Sequence, residues 1–232
     1  MKRIGLIGGM SWESSLHYYK LINEGIRTRL GGYHSADCIM HSVNFADIEA
    51  MQQTGRWDDA ADLLAKSAQN LYRGGAECIV LCTNTMHKVA DAIINAVPIP
   101  FLHIADATAD AIRASGYSQV GLLGTRFTMD ETFYSGRLID NYGLSVVLPD
   151  ADGRQLVNRV IFDELVHGII REESREGYIR QIELLAQNGA QAVILGCTEI
   201  GMLIQPEHSP IPTFDTTVIH ANAAVAFALG ES

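Results

Sequence analysis

One pattern of residues is written twice along this chain, and a repeat of that size constrains the fold more than any single motif. An apolar run at residues 4–7 ends in Gly8-Gly9, and another at 120–123 ends in Gly124-Thr125. The run Cys78–Leu81 ends in Cys82-Thr83-Asn84, and the run at 193–195 ends in Gly196-Cys197-Thr198. Ile99-Pro100-Phe101-Leu102-His103 is echoed by Ile211-Pro212-Thr213-Phe214-Asp215. Ile4 and Val120 stand 116 residues apart, Cys82 and Cys197 115, and Ile99 and Ile211 112. Three landmarks in one order at nearly one spacing predict an internal duplication.

Between these runs the apolar period lengthens from strand to helix. Leu16, Tyr19, Ile22, Ile26 and Leu30 fall at helical spacing and stop at Gly31-Gly32. Trp57–Arg73 is amphipathic and is followed by Gly74-Gly75. Short continuous apolar runs alternating with helices are the mark of parallel strands covered on both faces. The chain is therefore expected to be α/β, built as two similar parallel-sheet lobes related by pseudo-twofold symmetry. Ligands of open α/β sheets sit beyond the carboxyl ends of the strands. Both Cys-Thr dipeptides lie at such ends, and facing lobes would bring Cys82 and Cys197 to one cleft between them.

Composition narrows the function. The 232 residues are 47% hydrophobic and 19% charged, an ordinary globular balance. A formal net charge of -10 argues against nucleic acid, which calls for clustered Lys and Arg. No apolar run approaches the ~20 residues that span a bilayer. With no leader-like segment at its start, the chain is expected to be cytoplasmic. Its four cysteines, Cys38, Cys78, Cys82 and Cys197, do not form the paired spacing of a disulfide framework or a zinc site, so no metal is expected.

The chemistry suggested by two matched thiols is inversion at a carbon. Removing an amino-acid α-proton generates a poorly stabilised carbanion, and inversion needs a base on one face and an acid on the other. A duplicated fold supplies one group to each face. Thiols suit the task because the local field moves their pKa widely. A helix N-terminus after each cysteine is expected to favour the thiolate and, with Thr83, Asn84, Thr85 and Thr198, to hold a substrate carboxylate. Cys38 and Cys78 read as small packing residues. Gly8-Gly9-Met10 does not continue into the dinucleotide fingerprint, and the second strand ends in Asn44 rather than an acidic ribose ligand. His17, His34, His41, His208 and His220 read as surface or packing residues, and Tyr18, Tyr19 and Met202 as core.

At Gly8-Gly9-Met10-Ser11-Trp12, Cys82-Thr83-Asn84-Thr85-Met86-His87, Gly196-Cys197-Thr198-Glu199 and Phe214-Asp215-Thr216, the sequence resembles the aspartate/glutamate racemase superfamily. It is most similar to the PLP-independent aspartate racemase branch, including its broad-specificity amino-acid racemases, over essentially the whole chain. The resemblance implies a two-lobed fold, a cysteine pair as bases, no cofactor, an amino-acid substrate and commonly a homodimer. It implies that the C-terminal segment rejoins the first lobe, giving lobes of 1–99 plus 210–232 and of 100–209. Cys82 and Cys197 match the catalytic pair; Met10, Thr83, Asn84, Thr85 and Thr198 match the carboxylate pocket, and Gln52 a side-chain contact. Aspartate-selective members carry an arginine where this chain has Asp47-Ile48-Glu49, and a lysine where it has Val166 and His167. His167 is thus the nearest replacement for a side-chain cation, and small polar neutral substrates are expected beside acidic ones. Hydantoin racemase, maleate isomerase and arylmalonate decarboxylase chemistry, or non-catalytic amino-acid binding, are the alternatives.

Overall fold

A computed structural model describes residues 1–231. It divides into two compact units, Met1–His103 with the chain from His220 onward, and Ile104–Ile219.

The first unit holds a parallel sheet of β1 (Ile4–Gly8), β2 (Cys38–Ser42), β3 (Cys78–Leu81) and β4 (Phe101–Leu102), in the order β2-β1-β3-β4. Its helices are α1 (Trp12–Leu30), α2 (Phe45–Gln53), α3 (Trp57–Arg73) and α4 (Ala90–Ala96). Side chains of β3 alternate between two cores. Ile79 and Leu81 pack with Leu64, Ala68 and Leu71 of α3, while Cys78 and Val80 pack with Tyr18, Ile22 and Ile26 of α1. Each fully buried aliphatic side chain contributes about 1.5–3 kcal/mol, so this two-sided cover is what holds the central strands. Ser11 caps α1, its hydroxyl accepting from Ser14 N at 3.3 Å.

The buried stripe of α1 differs from the expected one. Ser15, Tyr18, Ile22 and Ile26 are buried, while Leu16, Tyr19 and Leu30 are exposed. Ile22 and Ile26 are compatible with either of two adjacent stripes, and the helix turns the one containing Tyr18 inward. Met202 is likewise more exposed than a core residue.

The second unit repeats the arrangement. Strands β5 (Gln119–Gly124), β6 (Ser145–Val147), β7 (Ala192–Gly196) and β8 (Thr213–Asp215) form a parallel sheet in the order β6-β5-β7-β8. Helices α5 (Ile104–Ala114), α6 (Arg126–Asp130), α7 (Thr132–Tyr142), α8 (Ala151–Asp163), α9 (Glu172–Gln187) and α10 (Ile200–Leu203) cover it, and α11 (Thr216–Leu229) follows β8. From His220 on, α11 belongs to the first unit, where Ala221, Ala224 and Val225 pack against Ile4, Leu6 and Tyr18.

The compact units divide at 103/104 and 219/220 rather than at the expected 99/100 and 209/210; either expected boundary would separate a strand from the one it pairs with. Phe101 and Leu102 lie beside Ile79 and Val80, and Thr213–Asp215 beside Val193–Leu195. Among the described residues no helix is long and apolar enough to cross a membrane.

Candidate active site

In the first unit the residues of interest gather beyond β1 and β3. Gly9 has φ +92°, and a Cβ there would run into the Val43 backbone. Its N–H donates to Ser15 Oγ at 2.7 Å, and Ser14 Oγ donates to the Cys82 carbonyl at 3.3 Å. The loop after β1 is thereby tied to the loop after β3. Met10, Ile48 and Met86 share one apolar cluster, and the buried Gln52 donates from Nε2 to Met86 Sδ at 3.0 Å. Met10 and Gln52 therefore lie against the segment that carries Thr83, Asn84 and Thr85, all three buried.

Cys82 packs in the apolar cluster on the other face of β3 from Leu81. It continues the alternation of Cys78 and Val80 into the cluster of Tyr18, Ile22 and Ala221, and is 0% exposed. Burial pushes its thiol far up, with the nearby Cys38 adding to the effect.

In the second unit Cys197 stands past the end of β7, 7% exposed. Its Sγ–H donates to Glu199 Oε2 at 3.0 Å, and Thr198 Oγ1 donates to the same oxygen at 2.6 Å. Burial holds the Cys197 thiol well above its ordinary range, and the Glu199 charge and hydrogen bond push the same way. The backbone N–H groups of Glu199 and Thr198 work against that rise. Thr125 caps α6 from the end of β5, accepting from Thr128 N at 3.3 Å. Glu199 stands inside the Gly196–Glu199 motif, but its spacing alone does not mark it as the partner of Cys197; a carboxyl two residues beyond a thiol in a tight turn is the signal.

The helix termini expected to acidify the thiols are too short to do so. A five-residue 3₁₀ turn, Thr85–Val89, follows Cys82, and the four-residue α10 follows Cys197. Neither sums enough aligned peptide dipoles to offset burial. His167 is exposed on the 3₁₀ turn Leu165–His167. The carboxylate beside it, Glu164, is engaged by Ser174 at 2.7 Å and faces Arg171 at 3.8 Å.

With Ile4 and Val120 taken as equivalent, strand register sets the two cysteines one residue apart. Ile4 pairs with Cys78 and Ile7 with Leu81; Val120 pairs with Ala192 and Leu123 with Leu195. Independently, Ile79 N donates to Pro100 O and Val193 N to Pro212 O, each at 2.8 Å. Both alignments match Leu81 with Leu195, a separation of 114 rather than 115. Cys82 then corresponds to Gly196, and Thr83 to Cys197. The close approach at Gly196, where a Cβ would meet Leu123 O at 2.9 Å, explains the absence of a side chain there.

The two units share one strand order, and the loops after their third strands both carry a Cys-Thr dipeptide, the arrangement of a two-unit α/β enzyme. Residues 7–224 match the family model for Asp/Glu/hydantoin racemase, and the chain belongs to that family. A crystal structure of a candidate Asp/Glu racemase from Yersinia pestis is 52% identical, with a TM-score of 0.93 over 99% of this chain and 100% of that one. An aspartate racemase homologue from Pyrococcus horikoshii OT3 is 36% identical, with a TM-score of 0.86 over 99% and 100%. The broad-specificity amino-acid racemase RacX of Bacillus subtilis (strain 168) is 23% identical over 176 residues, 73% of this chain and 72% of that protein.

Proposed function

We propose that the chain is a cofactor-independent amino-acid racemase in which Cys197 exchanges the substrate α-proton. The observation that carries this reading is the Cys197 thiol hydrogen-bonded to the buried Glu199 carboxyl at a strand's carboxyl end. As a base, Cys197 first gives its proton to Glu199; the thiolate then takes the α-proton, leaving a carbanion and a thiol. As an acid, the same thiol returns a proton to the carbanion. Inversion needs a second proton site on the opposite face; register equivalence nominates the Thr83 hydroxyl, which gives its proton to the carbanion and regains one from solvent as Glu199 releases to solvent the proton it took. A hydroxyl is the poorer base, so the two directions are expected to differ in rate.

Asn84, Thr85 and Thr198, with neighbouring backbone N–H groups, are the proposed carboxylate ligands, since fixed donors stabilise charge where it grows. Met10 and Gln52 are proposed beside the substrate side chain, with His167 as the basic residue that stands where aspartate-selective relatives carry a lysine. Ile48 is in the core and Gln52 is uncharged, which supports small polar neutral amino acids turned over at least as well as aspartate. Likeness to a broad-specificity racemase points the same way.

The matched Cys-Thr dipeptides favour a second reading, in which Cys82 rather than Thr83 is the partner base. Incubating L- and D-amino acids in deuterated buffer, without added PLP or metal, tests both through α-deuterium and chirality. Exchange lost in Cys197→Ala and Thr83→Val but kept in Cys82→Ala supports the first; loss in Cys82→Ala with Thr83→Val active supports the second. No exchange by the wild type on any amino acid would overturn the racemase reading.

A further inference from the structure

Behind the Thr83–Thr85 segment the first unit buries a group of rings that the proposed chemistry does not use. His87 Nδ1 lies 2.8 Å from the Thr83 carbonyl. Its ring meets His103 edge-on at 4.5 Å between centroids, Phe101 at 5.4 Å and His220 at 6.0 Å. His220 is itself fixed from two sides, with Nε2 2.7 Å from the Leu102 carbonyl and Nδ1 2.9 Å from the Tyr18 hydroxyl.

These contacts assign protons. A carbonyl only accepts, so His87 must carry N–H at Nδ1 and His220 must carry it at Nε2. Nδ1 of His220 is then the acceptor for Tyr18 O–H. Burial holds His87 well below its usual 6.5 and His220 down to about 4, and at His87 the neighbouring imidazoles add to the effect. At neutral pH each ring is uncharged and has one N–H, spent on a main-chain carbonyl. Three histidines together suggest a metal, but His87 Nδ1 and both His220 nitrogens are already engaged, and the described residues form no group able to hold one.

What His87 grips matters more than its burial. The Thr83 carbonyl belongs to a sharp turn in which Thr83 N donates to Leu81 O at 2.9 Å, and His87 N donates to Asn84 O at 3.1 Å. The side-chain and main-chain bonds of one residue therefore hold two successive carbonyls, pulling them toward the rings. We propose that His87 is a positioning residue whose imidazole clamps the Thr83 carbonyl and so fixes the turn that presents the Thr83 hydroxyl and the Asn84 and Thr85 side chains to substrate. Tyr18 and His220 brace the clamp by holding the end of β4, on which His87 rests. The inference depends on the racemase reading only for what the turn presents.

The test compares His87→Asn, His87→Gln and His87→Leu. An Asn amide places N–H near the position of Nδ1, whereas Gln reaches nearer Nε2 and Leu only fills space. His87→Gln and His87→Leu are expected to lose about 100-fold in kcat for α-proton exchange, with KM less affected, since small misplacements of reacting groups cost that much. His87→Asn is expected to recover to within about 5-fold of wild type. Leu as active as Asn would reduce His87 to packing and overturn the clamp. Should Leu fail to fold, the Asn–Gln comparison decides, since both bury an amide. Long-range ¹H–¹⁵N spectra of the wild type read the tautomer without any substrate. Nδ1–H at His87 is expected, and Nε2–H overturns the clamp. A wild type that exchanges no amino acid overturns the racemase reading, while the tautomer still judges the clamp.

Discussion

The ends of β3 and β7 are copies of one another, yet they carry opposite solutions. At β7 the strand stops at Gly196 and the next residue, Cys197, holds a thiol against a buried carboxyl. At β3 the strand stops at Leu81, Cys82 packs in the cluster of Tyr18 and Ile22 as Cys197 packs in that of Leu195 and Tyr178, and Thr83 is the residue proposed for the position of Cys197. The β7 turn is governed by the carboxyl its thiol contacts, and the β3 turn by a histidine that holds its carbonyl. On the proposed reading a duplicated fold preserves the place of a functional group while its chemistry diverges.

The comparison breaks most visibly at Cys197. Cys197→Ala is expected to lower α-proton exchange by roughly 1000-fold or more, the upper range for a positioned acid–base group. Measured by deuterium incorporation, an active Cys197→Ala would remove the thiol from the mechanism altogether. Thr83→Val keeps shape and deletes the hydroxyl, and about 100-fold loss is expected. A Thr83→Val enzyme at full rate in both directions would end the equivalence drawn from register.

Glu199 sharpens the comparison by a sign rather than a size. Its charge and hydrogen bond both raise the Cys197 thiol, so Glu199→Gln should make that thiol more acidic. The pH midpoint for alkylation of Cys197 is expected to fall, while turnover drops about tenfold because the proton acceptor is gone. A midpoint that stays or rises would mean that the carboxyl does not govern the thiol.

Acid stability tests the rings behind the β3 turn. His220 is held down to about 4 from 6.5, so between those values the unfolded chain binds a proton that the folded one does not. Stability is then fully present above about 6.5, declines as pH falls, and levels off for this group below about 4, a loss on the order of 3 kcal/mol. Tyr18 and His87 face His220, and His103 lies beyond His87, so His87, also held low, adds in the same direction. Calorimetry from pH 7 to 4 with NMR titration of the two rings checks it. A His220 that titrates near 6.5 in the folded protein would contradict the buried, neutral arrangement.

Sequence alone exposed the duplication, the α/β class and most strands, because buried parallel strands read as short unbroken apolar runs. It also singles out the segments in which Thr83, Asn84, Thr85, Cys197 and Thr198 are proposed to act. What it hid was the register. The copies differ by two residues between their first and third strands, since Ile4 and Val120 are 116 apart but Cys78 and Ala192 only 114. Matching identical letters equates Cys82 with Cys197, whereas counting on from the paired residues Leu81 and Leu195 equates Thr83 with it. The α1 stripe failed for a related reason, because Tyr18 and Tyr19 satisfy helical spacing equally well and tertiary packing chooses. Partners such as Glu199 for Cys197 and Thr83 O for His87 depend on turns that residue spacing does not specify.

The smallest expected effect falls on Cys82, and its smallness is what makes it decisive. Cys82→Ala removes one buried sulfur from a cluster formed by Cys78, Val80, Tyr18, Ile22 and Ala221. Loss of that apolar volume should cost about 1 kcal/mol of stability, at the low end for large-to-small changes because the sulfur is small. Activity should stay within about 3-fold of wild type, since the main chain that Ser14 and Ile7 bind is unchanged and so is the Thr83 turn. The thiol itself is expected to resist alkylation in the folded protein more than Cys197, because both are held protonated by burial but Cys82 is 0% exposed and Cys197 7%. Mass spectrometry of alkylated protein, with and without an amino-acid substrate, distinguishes the two sites. A Cys82 that reacts as fast as Cys197 and is shielded by substrate, joined to a Cys82→Ala enzyme without turnover, would restore the cysteine pair and make the one-residue shift in register irrelevant to the chemistry.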